Sequence, residues 1–405
     1  MRQRIGHFFL FVGIILLFFT PVPTVANTNV PQEQLDNDKQ PINAMDLVNE
    51  QIDNMDFQEI EGFWNNIIHE YGGFLPGIEK QSIVEYIKQA GEFSFKELTF
   101  GAINYIFHEL ILNGKLLGTL ILLTVLSMFL QSLQNAFETT TVSKIAYAVI
   151  FMVLMILALN SFHSAISYAS DAIQQMINFT IAFIPLLLAL IATSGNIISA
   201  GFFHPVIVFL TNISGVFVDK IVLPLLFLSV LLSIVSTLTT NYKATKLASL
   251  LRNWSVGLLG VFMTVFLSVV SIQGSVTAVA DGVAIKTAKF ATSNFIPVVG
   301  RMFTDAADTV ISASVILKNT IGLAGVGILL FLVLFPSLKI LMIAFIYKFS
   351  AALLQPLGGG SIIHCLDIIS KSIIYIFAAL GIVSIMFFLS ITVIILAGNI
   401  TLMVR

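Results

Sequence analysis

The sequence predicts an all-α membrane protein, a polytopic bundle of about seven to eight spans preceded by a small helical region. The chain is 57% hydrophobic and 10% charged with a mean hydropathy of +0.96, whereas soluble domains are usually about 25% charged. Residues 27–115 carry 15 acidic residues and 5 lysines, while residues 116–405 carry 13 basic and 7 acidic residues. This composition excludes an ordinary soluble domain and indicates two parts in different surroundings.

The first 26 residues have the features of a signal peptide. Arg2 and Arg4 precede an apolar run at 8–19, which is too short for a comfortable membrane span of about 20 residues. A small residue, Ala26, stands where cleavage is expected. We therefore predict a signal peptide over 1–26, and an uncleaved first anchor is the alternative. Both interpretations place residue 27 and its successors outside the cytoplasm.

Residues 27–115 are predicted to form an acidic extracytoplasmic helical region. After a linker at 27–44, apolar residues at three- and four-residue steps predict helices at about 45–68, 83–90 and 98–111. The acidic residues of the first helix could be a metal or basic-partner patch, but a solvated helix face is the favoured interpretation; they are Asp53, Asp56, Glu59 and Glu61. The pairs His69-Glu70 and His108-Glu109 do not form a His-Glu-x-x-His pattern, so no metal site is predicted.

Residues 116–405 are predicted to form the multi-span membrane domain. Eight apolar stretches occur at 116–133, 145–159, 179–192, 202–218, 221–238, 254–272, 321–335 and 373–396. Inside such stretches a helix satisfies every backbone group. The polar pair Asp219-Lys220 leaves open whether two neighbouring stretches form one bent hairpin, which would change the span count by one or two.

The positive-inside rule gives this domain an orientation. With the start outside, the basic residues between stretches fall on the cytoplasmic side. They are Lys144, Lys243, Lys246, Arg252, Lys339, Lys348 and Lys371. The C-terminus is then predicted to lie outside.

The stretch 273–320 does not fit a simple span, because charged residues occur among small residues on different helical faces. It is predicted to be amphipathic and to lie on the membrane, re-enter it or line a wet cavity. Its candidate pore or partner residues are Asp281, Lys286, Lys289, Pro297, Gly300, Asp305, Asp308 and Lys318.

An internal repeat is a further hypothesis. A shift of 112 residues aligns Phe183-Ile184-Pro185 with Phe295-Ile296-Pro297. The candidate repeats cover 171–272 and 283–397 in parallel orientation, an arrangement found in transporters and related pores. Chance matching between apolar segments is the alternative.

Motifs of catalysis are absent from the sequence. It contains neither a G-x-x-x-x-G-K-[ST] loop nor a G-x-S-x-G elbow, and no Cys/His cluster has metal-ligand spacing. We therefore predict no catalytic, cofactor or metal residues, no enzyme activity and no nucleic-acid partner. Gly322, Gly325 and Gly327 are predicted to permit close helix packing or bending, and Cys365 to be a filler residue.

Residues 281–356 carry a resemblance to a known family. The resemblance is carried by Asp281-Gly282-Val283, Lys286 to Phe290, Asn294 to Gly300, Asp305 to Val310, Leu317-Lys318-Asn319, Gly322, Pro336, Lys339 and Gln355-Pro356. Together with the leader and acidic region, these residues resemble the stage III sporulation protein AE family of endospore-forming Firmicutes. The resemblance covers most of 45–400, is most specific over 281–356, and transfers no catalytic residue.

The resemblance implies a place in a complex across the envelope between mother cell and forespore. The implied partners are a secretion-type ATPase, ring-forming and small membrane proteins of the same operon, and a forespore-side protein. The implied role is a membrane channel or export-platform subunit needed for forespore development, located in the mother-cell membrane with the acidic region in the intermembrane space. A self-contained small-molecule transporter is the alternative, and a membrane enzyme is the least favoured hypothesis.

Overall fold

A computed structural model describes residues 44–53, 55–75, 77–89, 95–136, 141–194, 196–238, 244–295, 299–357 and 360–403. The leader predicted at 1–26 lies outside the described residues, and so does the linker predicted at 27–44 except for Ala44, which begins the first helix; both stay predictions. The part of the chain from Asn43 to Arg405 forms one compact unit.

Every regular element in the described ranges is helical. Four short helices come first: α1 (Ala44–Asp53), α2 (Gln58–Tyr71), α3 (Ile83–Lys88) and α4 (Phe95–Leu112). Seven helices of the apolar part follow: α5 (Gly114–Ala136), α6 (Thr141–Thr193), α7 (Ile197–Phe217), α8 (Leu223–Leu238), α9 (Thr245–Phe295), α10 (Val299–Leu354) and α11 (Ser361–Met403). A π-helical turn, Val218–Val222, joins α7 to α8 without a loop.

Six helical segments of the described chain are long and apolar enough to cross a membrane. They are Gly114–Ser132, Ile145–Thr193, Pro205–Thr237, Thr245–Gln273, Ile311–Leu354 and Ser361–Leu396. The eight predicted stretches merge into six because two intervals between them are helical. The interval 160–178 contains polar residues but no helix breaker, so α6 continues through it. The pair Asp219-Lys220 lies in the π turn, so the two neighbouring stretches form one continuous helical segment and not a hairpin, which lowers the span count by one.

The acidic region forms four short helices where three were predicted. The first predicted helix divides after α1, and the Asp56 carboxylate accepts a hydrogen bond of 2.9 Å from the Gln58 backbone N–H at the start of α2. A capping box begins α3. The Ser82 hydroxyl accepts from the Glu85 N–H at 3.2 Å, and the Glu85 carboxylate accepts from the Ser82 N–H at 2.9 Å.

Aromatic side chains pack this region onto the bundle. Tyr71 stacks on Phe335 of α10 with a centroid distance of 4.2 Å, and Phe63 meets Phe179 of α6 edge-to-face at 5.6 Å. Trp64 is fully buried, and its indole N–H donates to the Gln81 carbonyl at 2.9 Å. The four helices are therefore part of the same core as the long helices.

The core of the bundle lies between α6, α10 and α11, which contact one another along their lengths. A Cβ at Gly322 would lie 2.6 Å from the Ile395 side chain, and one at Gly325 would lie 2.1 Å from the Phe183 ring. A Cβ at Gly327 would meet the Tyr86 hydroxyl at 2.0 Å. The predicted close packing at these glycines is confirmed.

The helix termini form two ends of the bundle. Gln131 near the end of α5 lies next to Gly360 at the start of α11, and Cys365 of α11 lies 3.4 Å from the Met155 sulfur of α6. The Ser229 hydroxyl of α8 donates to the Ala248 carbonyl near the start of α9. We call this the basal end, where α5, α8 and α10 finish and α6, α9 and α11 begin; the opposite end is the distal end.

Replacement of Gly325 by Ala should destabilise the bundle. The added methyl group collides with Phe183, which is 1% exposed and stacks on Phe179, so the ring has little room to move. Overpacking of a core costs about 1–3 kcal/mol. The melting temperature of the protein purified in detergent should fall by several degrees. Gly257→Ala is the matched control, since nothing lies within 4 Å of its Cβ position; equal melting temperatures for the two variants would contradict the packing.

Candidate functional site: buried ionic contacts in the bundle

The candidate residues predicted in 273–320 lie on two consecutive helices. Their helix positions are Asp281, Lys286 and Lys289 on α9, and Gly300, Asp305, Asp308 and Lys318 on α10. Pro297 lies outside the described residues, as do the side chains of Asp281, Lys289, Asp305 and Asp308. Lys286 is exposed and Lys318 is buried. The stretch thus continues the helices toward the distal end, and its role stays a prediction.

Lys318 connects α10 to α11 inside the bundle. The residue is fully buried, and its Nζ donates a hydrogen bond of 3.1 Å to the Ile395 backbone carbonyl. One turn further along α10, Gly322 brings the same α11 residue into close contact. A buried ammonium group needs such acceptors, because a charge without partners in an apolar interior is very costly.

A second ionic contact connects α4 to α10. The Glu109 side chain is 4% exposed, and its Oε1 lies 4.0 Å from Nζ of Lys339. The Asn113 side-chain amide donates to Glu109 Oε2 at 3.0 Å. Lys339 also lies over the Tyr168 ring of α6, 4.5 Å from its centroid. The carboxylate and the ammonium group are therefore compensated by an amide, by each other and by an aromatic face.

Two tyrosines next to Glu109 are held in their neutral form. Burial, together with the negative charges of Glu70 and Glu109, raises the pKa of Tyr71 far above its usual value. Burial and the Glu109 carboxylate raise the pKa of Tyr105 in the same direction. Neutral phenol groups can donate hydrogen bonds to the carboxylates beside them.

A third contact lies near the basal end. Asp367 of α11 forms ion pairs with Lys348 of α10 and with Lys371 one turn further along α11. The sequence prediction placed Lys339, Lys348 and Lys371 in a loop between spans, and this placement is wrong. Phe335 is followed by helix as far as Leu354, so two of these lysines lie on α10 and the third on α11.

A fourth contact lies at the π turn. The Ser170 hydroxyl of α6 donates to Asp219, whose other oxygen lies 2.7 Å from Nζ of Lys220. The Asp219 side chain is 12% exposed and the Lys220 side chain is 73% exposed. The extra residue in a π turn therefore directs the carboxylate inward and the ammonium group outward.

These contacts give the bundle charged connections between helices but no catalytic constellation. Among the residues that the structure describes, no three His, Cys, Asp or Glu side chains group as a metal site. In the sequence Glu109 stood out only beside His108 in a pair that does not complete a zinc pattern, and Asp367 did not stand out. The available signal was a carboxylate at the edge of an apolar stretch, which in a membrane protein requires a cation. Which lysine supplies the cation depends on how the helices pack. Glu109 and Lys339 are separated by 230 positions in the chain, and Lys348 and Asp367 by 19.

Comparisons with known proteins identify related chains. The family model described as Stage III sporulation protein AE matches residues 78–398. The Stage III sporulation protein AE of Bacillus subtilis (strain 168) is 60% identical over 351 residues, which cover 87% of this chain and 88% of that relative. No solved structure matches the chain.

Removal of Lys339 should cost more stability than removal of both partners of its ion pair. Lys339→Met leaves the Glu109 carboxylate buried without its cation, a loss of about 1–3 kcal/mol. The variant Glu109→Gln/Lys339→Met should recover at least half of the lost melting temperature, and both variants lack the contact with Tyr168 equally. Lys246→Met, at an exposed position of α9, is the control for losing a positive charge. A double variant as unstable as Lys339→Met would show that the charge pair is not what stabilises this contact.

Proposed function

Because the chain belongs to the stage III sporulation protein AE family, we propose that it serves sporulation as a membrane channel or export-platform subunit of a complex between mother cell and forespore. The role in sporulation follows from the family. The channel or platform role is the finer proposal, and the placement of ionisable groups within the apolar bundle supports it.

The observation that carries this proposal is the position of Lys318 and of the Glu109–Lys339 pair. Lys318 is buried within the apolar segment Ile311–Leu354, and Lys339 lies in the same segment. Charged groups at membrane depth are costly, and they typically face a bundle interior or a water-filled cavity on a transport path. Structural anchoring alone could be achieved by apolar side chains at lower cost.

Complex formation is the second part of the proposal. The sequence contains no nucleotide-binding loop, so an energy-supplying step needs another protein. We propose a secretion-type ATPase as that partner on the cytoplasmic side, with ring-forming and small membrane proteins and a forespore-side protein completing the assembly. The exposed acidic residues of α1 and α2 would face the intermembrane space.

The orientation is supported by the distribution of positive charge. With six spans, as with eight, the two ends of the membrane domain lie on the same side of the membrane, because both counts are even. The basal end carries the exposed Lys246, Lys348 and Lys371, and the positive-inside rule places such an end in the cytoplasm. The acidic region and the continuation of α9 past Gln273 would then be extracytoplasmic.

A self-contained transporter is the second candidate function. The candidate repeat and the small residues of the helices favour it, and a scarcity of buried charges would disfavour ion coupling. The buried Lys318 and Glu109 weaken that objection. The two functions differ in their need for partners. Solute uptake by liposomes containing the purified chain alone would support the transporter and contradict the platform subunit.

Deletion of the gene in a sporulating host should abolish late forespore gene expression, and the full-length chain should restore it. An affinity-tagged chain isolated from sporulating cells should co-purify a secretion-type ATPase and ring-forming membrane proteins. Reporter activity in the forespore and mass spectrometry of the isolate are the measurements. Normal late expression without the chain, or isolation of the chain alone under conditions that keep other membrane complexes intact, would contradict the proposal.

Single cysteines should be labelled from opposite sides of the membrane. In growing cells induced to express the chain, an impermeant maleimide should label Lys286→Cys directly and Lys246→Cys only after permeabilisation, because both positions are exposed but lie toward opposite ends. The wild-type chain, whose single cysteine Cys365 is buried, gives the background. If Lys246→Cys were labelled without permeabilisation and Lys286→Cys were not, the orientation would be the opposite of the one proposed.

A further inference from the structure

One face of α6 changes from apolar to polar within the longest apolar helical segment. The segment Ile145–Thr193 has 49 residues. Toward the basal end its exposed face is apolar, with Val149, Met152 and Ile156 between 49% and 67% exposed. From residue 160 the same face is polar. Its exposed members follow at steps of three and four: Asn160, His163, Ser167, Asp171, Gln174 and Asn178. We call these six residues the α6 polar face.

The spacing places the α6 polar face along one side of the helix, since residues three and four apart are neighbours on a helix surface. Eighteen residue steps separate its ends, which corresponds to about 27 Å at 1.5 Å per residue. That length is close to the thickness of the hydrocarbon layer, about 30 Å. The face is therefore about as long as the hydrocarbon layer is thick. From Tyr168 onward it runs beside the acidic region, where Lys339 of the Glu109 pair lies over Tyr168 and Phe63 meets Phe179.

The two borders of this face are also polar. On one side, Tyr168 lies below Lys339 of α10, and on the other, Ser170 binds Asp219 beside the exposed Lys220. At the distal limit, Asp56 and Glu59 line a shallow pocket with Ala182 and Pro185. The polar surface thus extends from α6 onto α10, the π turn and the acidic region.

The opposite flank of the bundle is apolar at the same height. Gly215 of α7 contacts Ile173 and Ile177 of α6, and Phe217 stacks on Phe262 of α9 at 4.5 Å. The part of α9 around Phe262 therefore lies level with the middle of the α6 polar face. There Val261 and Val265 of α9 are 65% and 53% exposed. The exposed hydroxyls of Thr264 and Ser268 between and after them donate to backbone carbonyls one turn earlier in α9, so their hydrogen bonds are made within the helix.

The α6 and α9 faces belong to different sides of the bundle, because α7, α8 and α11 each contact both helices. Exposed valines at one height fit acyl chains, whereas exposed amides and a carboxylate require water. A segment standing wholly outside the bilayer would have no reason to keep one flank so apolar. The difference between two flanks at one height indicates lipid on one side and water on the other.

We propose that the α6 polar face lines a water-filled path through the membrane, so that this chain itself contributes the wall of the pore. The inference rests on the proposed channel or platform function and assigns its path to one helix face. The six lining side chains include one carboxylate and five uncharged or weakly basic groups. Such a wall suits small hydrated polar solutes with weak selectivity for charge.

Thiol reactivity tests this assignment, because the reactive thiolate forms in water and is disfavoured in lipid. Single cysteines replace Asp171, Gln174 or Asn178 on the α6 polar face and Val261 or Val265 on α9. An impermeant cationic thiosulfonate is applied to membranes of sporulating cells. The thiols that have not reacted are then labelled with a high-mass maleimide, and the loss of this label measures the extent of modification. The α6 cysteines should react at least about tenfold faster than the α9 cysteines.

Two results would overturn the assignment. Equally fast reaction on both flanks would place this height outside the bilayer, and slow reaction at all three α6 positions would mean that another protein or lipid covers the face. Each variant is compared at equal amounts in the membrane, and since all five positions are exposed, misfolding is not expected. The proposed function fails separately, through loss of co-purification with partners, and that result leaves the reactivity pattern unaffected.

Discussion

The hydrocarbon layer offers no hydrogen bonds, and this constraint determines where every polar group of the bundle lies. Backbone groups are satisfied within long helices, so even the interval 160–178 and the π turn at Val218–Val222 remain helical. Charged side chains meet partners on other helices, as Lys318 meets the Ile395 carbonyl and Asp367 meets Lys348. Six further exposed polar side chains lie along one face of α6. The packing of α10 against α6 and α11 follows from these connections together with the glycines that permit close approach.

The acidic region gains its structure from the same packing. Phe63 faces α6, Tyr71 faces α10, and Trp64 stacks on Tyr86 of α3, while Asp53, Glu59 and Glu61 remain exposed. Glu109 is the exception, because it is buried and uses Lys339 of α10 as its cation. A region that looks separate by composition is thus connected to the longest helix of the bundle through aromatic and ionic contacts. Movement of one would be transmitted to the other.

The fold class and most helices could be predicted from sequence, because apolar composition and helical periodicity are local properties. The span count was harder. Hydropathy treats Asn160 to Asn178 as an interruption, whereas the backbone contains nothing that ends a helix there. The close approach at Gly322 and Gly325 was predictable from their small size in an apolar helix. The pairs Glu109–Lys339 and Lys348–Asp367 were not, since their members are distant in the chain and meet only after the helices pack.

The α6 polar face was readable as a periodicity of three and four, but its significance depends on the apolar flank of α9, which only the structure places at the same height. The internal repeat over 171–272 and 283–397 stays a prediction.

The surroundings of the α6 polar face decide whether this chain forms the wall of an aqueous path. The most direct measurement is a density map, by electron cryomicroscopy, of the assembly isolated from sporulating cells in lipid nanodiscs. The face from Asn160 to Asn178 should border a solvent-filled lumen, while acyl-chain density should lie against Val261 and Val265 of α9. Acyl chains or a tightly packed partner helix along the α6 polar face would contradict an aqueous path at this position.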